Sequence, residues 1–334
     1  MSTLIHQLSQ QFPDLKFMAQ EPLKNHTPVK IGGPAEVFWQ AHDQKNLIDV
    51  CKFCLNHNIP FQLIGWGANT LFSDQGLTGL VIKNSVTQLV LLPQPPQTDQ
   101  RDNSQLLNAT SGFPLPVLIN QLLNQNIVGL EFWARIPATV GGAIYNNIHG
   151  FQGKLLSSIV SQVEVLSNSG EVLTLQPEEL EFAYDYSRFH HTNETILSAQ
   201  FVLNQADPSQ AKELLKQIAT AKRHHPPVSL GCVFQNLTPD QQQQLQINTT
   251  STGYVIDKLL NLSGFQIGDA QISTKHAAFI ENIGAATAQD YLNVIGVILT
   301  KAREQLDIEL KTEIFFKGFS SSELAAAGLS GHNK

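Results

Sequence analysis

The sequence has little charge and no long apolar run. Charged residues make up 15% of the 334 positions, and the formal net charge is −7. This mildly acidic balance argues against a surface that coats nucleic acid. No apolar run is long enough to span a bilayer, and the first residues lack the basic start and apolar core of a signal peptide. We therefore expect a cytoplasmic protein without a nucleic-acid or membrane partner.

Cysteine is also scarce. The chain has three cysteines, which are too few for a disulfide framework. Cys51 and Cys54 form a Cys-x-x-Cys pair in a segment where they share one helical face with Leu47 and Leu55. No second pair is present to complete a zinc site. We expect two buried apolar cysteines and no bound metal.

Two glycine-bearing loops are the most informative feature of the chain. The first follows the apolar run 61–64 and contains Gly65, Gly67 and Asn69, and the second is the stretch 136–143. Glycine lets the backbone approach a bound group closely, and successive free N–H groups form a nest for phosphate. Two such loops predict that the ends of one pyrophosphate are held here, and hence a dinucleotide cofactor. The alternative is two tight turns.

Hydrophobic periodicity indicates an α+β or α/β organisation. Strands are predicted at 37–39, 61–64, 80–82, 163–166, 172–175, 196–203 and 309–316. Helices are predicted at 44–57, 115–125, 209–224 and 288–306. The polar stretch 93–104 predicts a flexible loop, and the small polar residues 319–334 predict a disordered tail.

Several segments occur in the order in which one enzyme family carries them. They are 26–35, 65–69 (Gly-Trp-Gly-Ala-Asn), 129–132 with 136–143, 231–236 (Gly-Cys-Val-Phe-Gln-Asn), 273–282 with 284–288, and Glu313. Together they resemble the UDP-N-acetylenolpyruvoylglucosamine reductase (MurB) family. Each piece alone is a weak signal, but the ordered set is specific and extends over nearly the whole chain.

The resemblance implies an α+β fold, in which a two-part FAD-binding domain of the PCMH/MurB type precedes an α+β C-terminal substrate domain. The implied boundaries are an N-terminal segment 1–25, an FAD-binding domain 26–204 with subdomains at about 26–92 and 105–204, a substrate domain 205–318 and the tail 319–334. Loops would then hold FAD, in agreement with the lack of a Gly-x-Gly-x-x-Gly helix start. Because 191–204 carries no long insertion, the chain resembles the shorter, second type of the family.

The family's reaction is implied as well. NADPH reduces FAD, a hydride passes to C3 of the enolpyruvyl group of a UDP-sugar, and the enolate is protonated at C2, giving the peptidoglycan precursor UDP-N-acetylmuramate. We expect a monomer with this small-molecule partner. The residues implied to bind FAD are Gly65, Gly67, Ala68, Asn69, Thr70, Ile136, Pro137, Thr139, Gly141, Gly142, Ala143 and Asn147.

Two residues stand where the family has its catalytic groups. Cys232 occupies the position of the proton donor, usually serine, and a thiol with an ordinary pKa of about 8.5 is mostly protonated at pH 7. Glu313 occupies the position of a glutamate that stabilises the enolic intermediate or assists proton transfer. The alternatives are a buried structural cysteine and a solvated strand carboxylate. Asn236, Lys275 and Tyr184 are implied to bind substrate.

The chain departs from the family pattern at the arginine that stabilises the enolate. Residues 184–187 read Tyr-Asp-Tyr-Ser where the family has Tyr-Arg-x-Ser, so Asp185 stands at the arginine position. A carboxylate has the wrong sign beside a developing negative charge. Arg188 and Arg135 are candidate substitutes, and the alternative is that both are surface arginines.

Further departures lie beside the second glycine loop and after Cys232. Residues 146–150 read Asn-Asn-Ile-His-Gly where the family has Met-Asn-Ala-Gly-Ala, so His149 adds a side chain there. His149 is either a polar contact to cofactor or substrate or a packing histidine. Gln235 replaces a family lysine, and Lys275 is either a diphosphate ligand or part of a packed turn.

Three functions are compatible with these residues. The first is the family's FAD- and NADPH-dependent reduction of UDP-N-acetylglucosamine enolpyruvate. The second is a diverged FAD oxidoreductase with another acceptor, suggested by Asp185 and by Ile148 and His149. The third is a flavin-binding protein that has lost turnover. They differ in whether NADPH reduces the flavin and in whether its reoxidation requires the UDP-sugar.

Overall fold

The structure is a computed structural model that describes residues 3–93 and 103–329. The chain forms two compact units, each assembled from several stretches. Within the described residues, the first unit contains 3–38, 67–80 and 224–329, and the second contains 39–66, 81–93 and 103–223. The domains implied by the sequence are consecutive instead, and their boundaries stay a prediction.

The strands and helices of both units are named here in chain order. The strands are β1 (Met18–Pro22), β2 (Pro34–Ala41), β3 (Phe61–Ile64), β4 (Thr70–Phe72), β5 (Leu77–Asn84), β6 (Leu89–Leu91), β7 (Ser104–Thr110), β8 (Ile127–Val128), β9 (Val160–Leu166), β10 (Val172–Leu175), β11 (Thr195–Gln205), β12 (Ser229–Cys232), β13 (Gln266–Ile267), β14 (Ala270–Ile272), β15 (Phe279–Asn282) and β16 (Phe315–Lys317). The helices are α1 (Thr3–Gln11), α2 (Gln44–Asn56), α3 (Leu115–Leu123), α4 (Val140–Tyr145), α5 (Ser209–Ala221), α6 (Pro239–Gln244), α7 (Thr252–Tyr254), α8 (Ala288–Leu306) and α9 (Ser321–Ala326).

The first unit is organised around a small antiparallel sheet and one long helix. The sheet has the order β12-β15-β14-β13, and α8 packs against its β13 and β14 strands. β1 pairs antiparallel with the first half of β2, while β4 pairs in parallel with β16. Helix α8 starts at a capping box, because the Thr287 hydroxyl accepts the N–H of Asp290 at 3.0 Å and the Asp290 carboxylate accepts the N–H of Thr287 at 3.0 Å.

The second unit is built on a larger antiparallel sheet with the order β10-β9-β11-β7-β6. Its long strand β11 pairs with β7 on one side and β9 on the other, and β8 adds to its end. Apolar residues of α3, α4 and α5 share one buried cluster with those of the sheet. Strand β5 lies between β2 and β3 in the order β2-β5-β3.

Most of the predicted elements are confirmed, and two differ. Strand β3 and helix α8 have the predicted bounds, and the predicted strands 163–166 and 172–175 lie in the antiparallel pair β9 and β10. The predicted strand 309–316 is wrong over most of its length, because only Phe315–Lys317 pairs as a strand. Before β16 the chain makes one isolated bridge, Phe234 with Thr312, and no continuous ladder.

The expected disordered tail is also corrected where the structure describes it. Residues 319–329 include α9, which begins at a capping box between Ser320 and Glu323 and buries Leu324. Residues 330–334, and most of the predicted loop 93–104, lie outside the described residues. In the part of the chain that the structure describes, no helix combines the length and apolar character that crossing a bilayer requires.

Candidate functional site

The start of the first glycine loop, at Gly65, approaches the second loop within the second unit. Gly65 directly follows β3, and a Cβ at this position would lie 2.5 Å from Oγ1 and 3.0 Å from Cγ2 of Thr139. Because these distances are too short for any side chain, glycine is required at this approach. The structure thus brings the first glycine of one loop against the hydroxyl of the other.

Gly67 belongs to the first unit and begins a short run of backbone donors. Its φ of 61° is left-handed, and a Cβ would lie 2.8 Å from the carbonyl oxygen of His26. Within residues 3–93 and 103–329, the N–H groups of Gly67, Ala68 and Asn69 donate no hydrogen bond. Three successive free N–H groups form the kind of nest that accepts a phosphate.

The second loop corrects the expectation of a second nest. All N–H groups of residues 140–143 already bond within the protein. That of Gly141 donates to the carbonyl of Ser111 at 2.7 Å, and those of the next two residues donate to the side chain and carbonyl of Thr139 at 3.3 and 2.9 Å. The backbone donors of 140–143 therefore stabilise the start of α4, and the capping residue Thr139 is buried.

Asn69 joins the first glycine loop to the segment that carries Glu313. Its side-chain amide donates to the Glu313 carbonyl at 3.1 Å, and its own carbonyl accepts the N–H of Phe315 at 2.9 Å. These bonds extend the parallel pairing of β4 with β16, in which Thr70 lies opposite Phe315. A predicted cofactor loop and a predicted catalytic residue are thus connected inside one unit, although 244 positions separate them.

The segment of Cys232 is bonded to the same stretch of chain. The N–H of Glu313 donates to the carbonyl of Val233 at 2.8 Å, and the N–H of Gln235 donates to the carbonyl of Lys311 at 2.9 Å. Cys232 itself ends β12 and is half-buried, directly after Gly231 with its left-handed φ of 82°. The first unit therefore holds the segments of both predicted catalytic residues side by side through backbone hydrogen bonds.

The predicted substrate residues are on exposed positions. Asn236 and Lys275 belong to the first unit, and Tyr184, with 43% of its surface exposed, belongs to the second. The backbone N–H of Lys275 donates to the Ser273 hydroxyl at 3.2 Å. The next residue, His276, is half-buried, and this burial lowers the pKa of its imidazole.

Asn147 is a structural hub of the second unit. It is fully buried with a left-handed φ of 41°, and its side chain bonds at both ends. The amide donates to the carbonyl of Ala183 at 2.8 Å, while its oxygen accepts the N–H of Ser157 at 2.8 Å. Asn147 therefore holds the end of the second glycine loop against the turn that contains Tyr184 and Asp185.

That turn carries a histidine–carboxylate pair that the sequence analysis missed. Ala183 and Tyr186 exchange two backbone bonds around the turn, and Asp185 adopts a left-handed φ of 50°. The Asp185 Oδ1 lies 2.7 Å from Nδ1 of His149, whose ring stacks on Tyr184 with centroids 4.9 Å apart. The sequence did contain a signal, because both members of the pair are departures from the family pattern.

The two candidate substitutes for the missing arginine are placed differently. Arg188 makes an ion pair with Glu194, with Nε 3.1 Å from Oε2, and also donates to the carbonyl of Glu179 at 3.0 Å. Its charge is therefore balanced by Glu194 in this structure, and the hypothesis that Arg188 replaces the family arginine stays a prediction. Arg135 is exposed and has a left-handed φ of 62°.

The Cys-x-x-Cys pair is buried on helix α2, as predicted. Burial raises the pKa of both thiols, and that of Cys54 reaches about 12. Protonated, desolvated thiols are poor metal ligands and poor nucleophiles. Among the described residues, no group of three or more histidine, cysteine or acidic side chains is placed to hold a metal ion.

Comparison with known proteins matches both halves of the chain. The model of an FAD binding domain matches residues 35–176, and that of the UDP-N-acetylenolpyruvoylglucosamine reductase C-terminal domain matches residues 199–316. The enzyme of this name from Listeria monocytogenes serotype 4a is 33% identical over 93% of this chain and 98% of its own length. The chain belongs to the UDP-N-acetylenolpyruvoylglucosamine reductase family.

Other members of the UDP-N-acetylenolpyruvoylglucosamine reductase family agree with this assignment. The protein from Chlamydia abortus is 35% identical over 87% of this chain and 91% of its own length. The crystal structure of the enzyme from Thermus caldophilus has a TM-score of 0.69 and 27% identity, covering 90% of this chain and 98% of its own. The expected α+β fold, with an FAD-binding part and the family's C-terminal domain, is thereby confirmed.

Proposed function

We propose that the protein is an FAD-dependent UDP-N-acetylmuramate dehydrogenase, which uses NADPH to reduce UDP-N-acetylglucosamine enolpyruvate in peptidoglycan precursor synthesis. The observation that carries this proposal beyond family membership is the bonding of Asn69 to the Glu313 segment. It connects a loop suited to a dinucleotide with the residues suited to proton chemistry.

The residues present fit the phosphate part of FAD. The free N–H groups of Gly67, Ala68 and Asn69 supply the donors that a pyrophosphate requires. We propose that Thr70 and the loop residues Ile136, Pro137, Gly141 and Gly142 contact the rest of the cofactor, and that the buried residues Thr139, Ala143 and Asn147 hold the second loop in place. When bound, FAD supplies the hydride chemistry, because it can take a hydride from NADPH and give it to the substrate.

The protein's own residues then supply one proton and the stabilisation of charge. Hydride addition to C3 of the enolpyruvyl group leaves the electron pair at C2, in conjugation with the carboxylate. We propose that the Cys232 thiol gives its proton to C2 and that solvent restores this proton afterwards. Glu313 would stabilise the enolic form by hydrogen bonding. Asn236, Lys275 and Tyr184 would orient the UDP-sugar, whose phosphates carry the charge that Lys275 complements.

The setting of this reaction is also part of the proposal. We propose a cytoplasmic monomer whose partner is the small-molecule UDP-sugar, with no nucleic acid or membrane bound. The net charge of −7 and the low content of charged residues support this reading. We retain the division into an FAD-binding domain 26–204 and a substrate domain 205–318 as part of the same proposal. Size-exclusion chromatography with light scattering tests the monomer.

The reaction is tested by two half-reactions followed separately without oxygen. NADPH should bleach the flavin absorbance near 450 nm, and the enolpyruvyl UDP-sugar should restore it, with UDP-N-acetylmuramate identified by mass spectrometry. Reoxidation that ignores the sugar would favour a diverged oxidoreductase with another acceptor, which the aspartate at position 185 keeps as the second candidate. A bound flavin that NADPH never bleaches would contradict both.

Three variants connect this test to named residues. Cys232→Ser should retain sugar-dependent reoxidation, whereas Cys232→Ala should lose it by roughly 100-fold and keep flavin reduction by NADPH. Asn69→Ala should weaken FAD binding, because the loop loses its bond to the Glu313 segment. Asn293→Ala is the matched control, since Asn293 is an exposed residue of the same unit that bonds to Gln289 on the surface of α8.

A further inference from the structure

Tyr291 carries a buried hydroxyl group that the proposed mechanism does not use. The residue lies near the start of α8 and is fully buried, and its hydroxyl oxygen has no hydrogen-bond partner among the described residues. A buried hydroxyl group without a partner costs stability, because folding removes the water that would otherwise bond to it. Phenylalanine would fill the same space without this cost, so the hydroxyl group calls for another explanation.

The backbone around Tyr291 is fixed by bonds at the start of its helix. The N–H of Tyr291 donates to the carbonyl of Thr287 at 3.2 Å. The carboxylate of Asp74 accepts the N–H groups of Ala288 at 2.9 Å and of Gln289 at 3.1 Å. These bonds anchor the first turn of α8 to the segment that follows β4, and all of these residues belong to the first unit.

The hydroxyl group of Tyr291 lies next to Cys232. Tyr291 shares one buried cluster with Leu230 and Val233, which flank Gly231 and Cys232 in the sequence. Desolvation raises the pKa of the Tyr291 phenol, the neighbouring N–H of Leu230 opposes this rise, and the negative charge of a Cys232 thiolate adds to it. The phenol is thus within electrostatic range of the sulfur, and because its pKa lies above that of an ordinary thiol, it keeps its proton when a thiol ionises.

Strand β12 is irregular where it approaches this hydroxyl group. Its pairing with β15 shifts register between Ser229 and Cys232, and Gly231 has a left-handed φ of 82°. Such a bulge re-aims the side chains around it, and bulges are over-represented beside active sites. The N–H of Leu230 and the thiol of Cys232 are both neighbours of the Tyr291 hydroxyl group. Because the N–H can only donate, the phenol proton is directed to the sulfur.

We propose that the Tyr291 hydroxyl group stabilises the Cys232 thiolate that remains when the thiol gives its proton to C2 of the substrate. This inference rests on the proposed function. In that step the S–H bond breaks and its electron pair stays on sulfur, while the electron pair of the enolate forms the new C–H bond at C2. Tyr291 keeps its own proton, and solvent returns a proton to the sulfur afterwards. Because it acts through Cys232, Tyr291 is a positioning residue.

This role accounts for the lack of a partner in the resting protein. A neutral thiol is a weak hydrogen-bond acceptor, whereas a hydrogen bond to an ionised acceptor is short and strong. The bond from Tyr291 to Cys232 therefore forms as the proton leaves the sulfur. An interaction that is stronger in the transition state than in the ground state accelerates the step.

The first test follows the reactivity of Cys232 and needs no substrate. Iodoacetamide reacts with the thiolate, so the alkylation rate of Cys232 in the FAD-loaded protein should rise with pH to a plateau. In Tyr291→Phe the midpoint of this profile should lie about one pH unit higher, because the thiolate loses its hydrogen bond. Tyr254→Phe is the matched control, since it removes an exposed hydroxyl group of the same unit and should keep the midpoint of the wild type. An unchanged midpoint in Tyr291→Phe, or an equal shift in both variants, would overturn the proposal.

The other ionisable groups near Cys232 are the same in both variants. They lie on β15 and the turn before it, on the segment bonded to the residues after Cys232 and at the start of α8, and they are Lys275, His276, Glu281, Asp290, Lys311 and Glu313. Their influence on the alkylation profile cancels in the comparison, so the difference reports the single hydroxyl group.

Thermal unfolding distinguishes this role from a structural one. Tyr291→Phe should melt at the same temperature as the wild type or higher, because it removes a buried hydroxyl group that has no partner in the folded protein. A lower melting temperature with an unchanged alkylation profile would show that the hydroxyl group serves the fold alone, and would overturn the proposal.

The second test shows whether Tyr291 acts through Cys232 in the reaction. Tyr291→Phe should lose sugar-dependent reoxidation by about tenfold, while FAD content and flavin reduction by NADPH stay as in the wild type. In a Cys232→Ala background the same change should cause no further loss, because no thiolate forms there. A further tenfold loss in that background would overturn the proposal. A shifted alkylation profile in a protein whose reoxidation ignores the UDP-sugar would instead contradict the proposed function, while the contact between Tyr291 and Cys232 would stand.

Discussion

Gly65 and Thr139 are so close that a single added methyl group at Gly65 would overlap the Thr139 side chain, with 2.5 Å to Oγ1. Thr139 also caps α4 by accepting the N–H of Gly142 at 3.3 Å. The same threonine thus fixes the start of a helix and limits the turn after β3. Gly65 and Thr139, which are 74 positions apart in the sequence, are thus packed against each other in the second unit.

Gly65→Ala should therefore destabilise the protein and weaken its FAD binding. We expect a loss of about 1–3 kcal/mol in unfolding free energy, because the added Cβ must displace the Thr139 side chain or the loop. The double variant Gly65→Ala with Thr139→Ala removes the clash and should cost less than the sum of the two single changes. Chemical denaturation and an FAD titration measure both effects. Additive losses would contradict the packing described for these loops.

The Arg188–Glu194 ion pair should contribute to stability rather than to chemistry. Its side chains are 23% and 10% exposed, so Arg188→Ala leaves a largely buried carboxylate without its cation. We expect a lower melting temperature in Arg188→Ala and in Glu194→Gln, with the double variant losing less than the sum. Sugar-dependent reoxidation per FAD-loaded molecule should stay close to that of the wild type. A selective loss of that half-reaction in Arg188→Ala would instead support the hypothesis that Arg188 replaces the family arginine.

The three cysteines should differ sharply in reactivity. Cys51 and Cys54 are fully buried and their pKa values are raised by desolvation, whereas Cys232 is half-buried at the end of β12. Iodoacetamide at pH 8 should therefore modify Cys232 in the native protein, and the other two only after unfolding. Peptide mass spectrometry gives the extent at each site, with Cys232→Ser as the control. Modification of Cys51 or Cys54 as fast as that of Cys232 would be inconsistent with the buried helix face.

Stability should fall on mild acidification, and His276 should account for part of this loss. Burial lowers the pKa of its imidazole below the ordinary value of 6.5, so the unfolded chain binds a proton at a higher pH than the folded one does. The stabilising contribution is complete above the unfolded pKa and decreases as pH falls below it, towards the folded pKa. Urea unfolding at pH 7.5, 6.5 and 5.5 should show a shallower decline in His276→Gln than in the wild type. Parallel curves for the two proteins would exclude this contribution.

Much of the fold was predictable because local signals agreed with the final structure. Helix α8 has a Thr287–Asp290 capping box and apolar residues at helical spacing, so its bounds follow from the sequence. The glycine loops were predictable because the close approach at Gly65 and the left-handed φ at Gly67 both require glycine.

The errors came from long-range pairing. The stretch 309–316 alternates like a strand, but a partner strand exists only for Phe315–Lys317, and nothing local identifies β4 as that partner. The Asn69–Glu313 bond joins positions 244 apart, and the His149–Asp185 pair joins positions 36 apart. Contacts between residues so far apart in the sequence leave no periodic pattern from which they could be predicted. The small polar residues of the tail predicted disorder, but the Ser320–Glu323 capping box and the buried Leu324 stabilise the helix α9 there.

The most direct test of the account is the amount of FAD bound per chain. The central claim is that the free N–H groups of residues 67–69 accept the phosphates of this dinucleotide. Purified protein incubated with FAD and then desalted should be yellow, absorb near 450 nm and release close to one FAD per chain on denaturation. A folded protein that remains colourless after this treatment would contradict the claim and the proposed reaction with it.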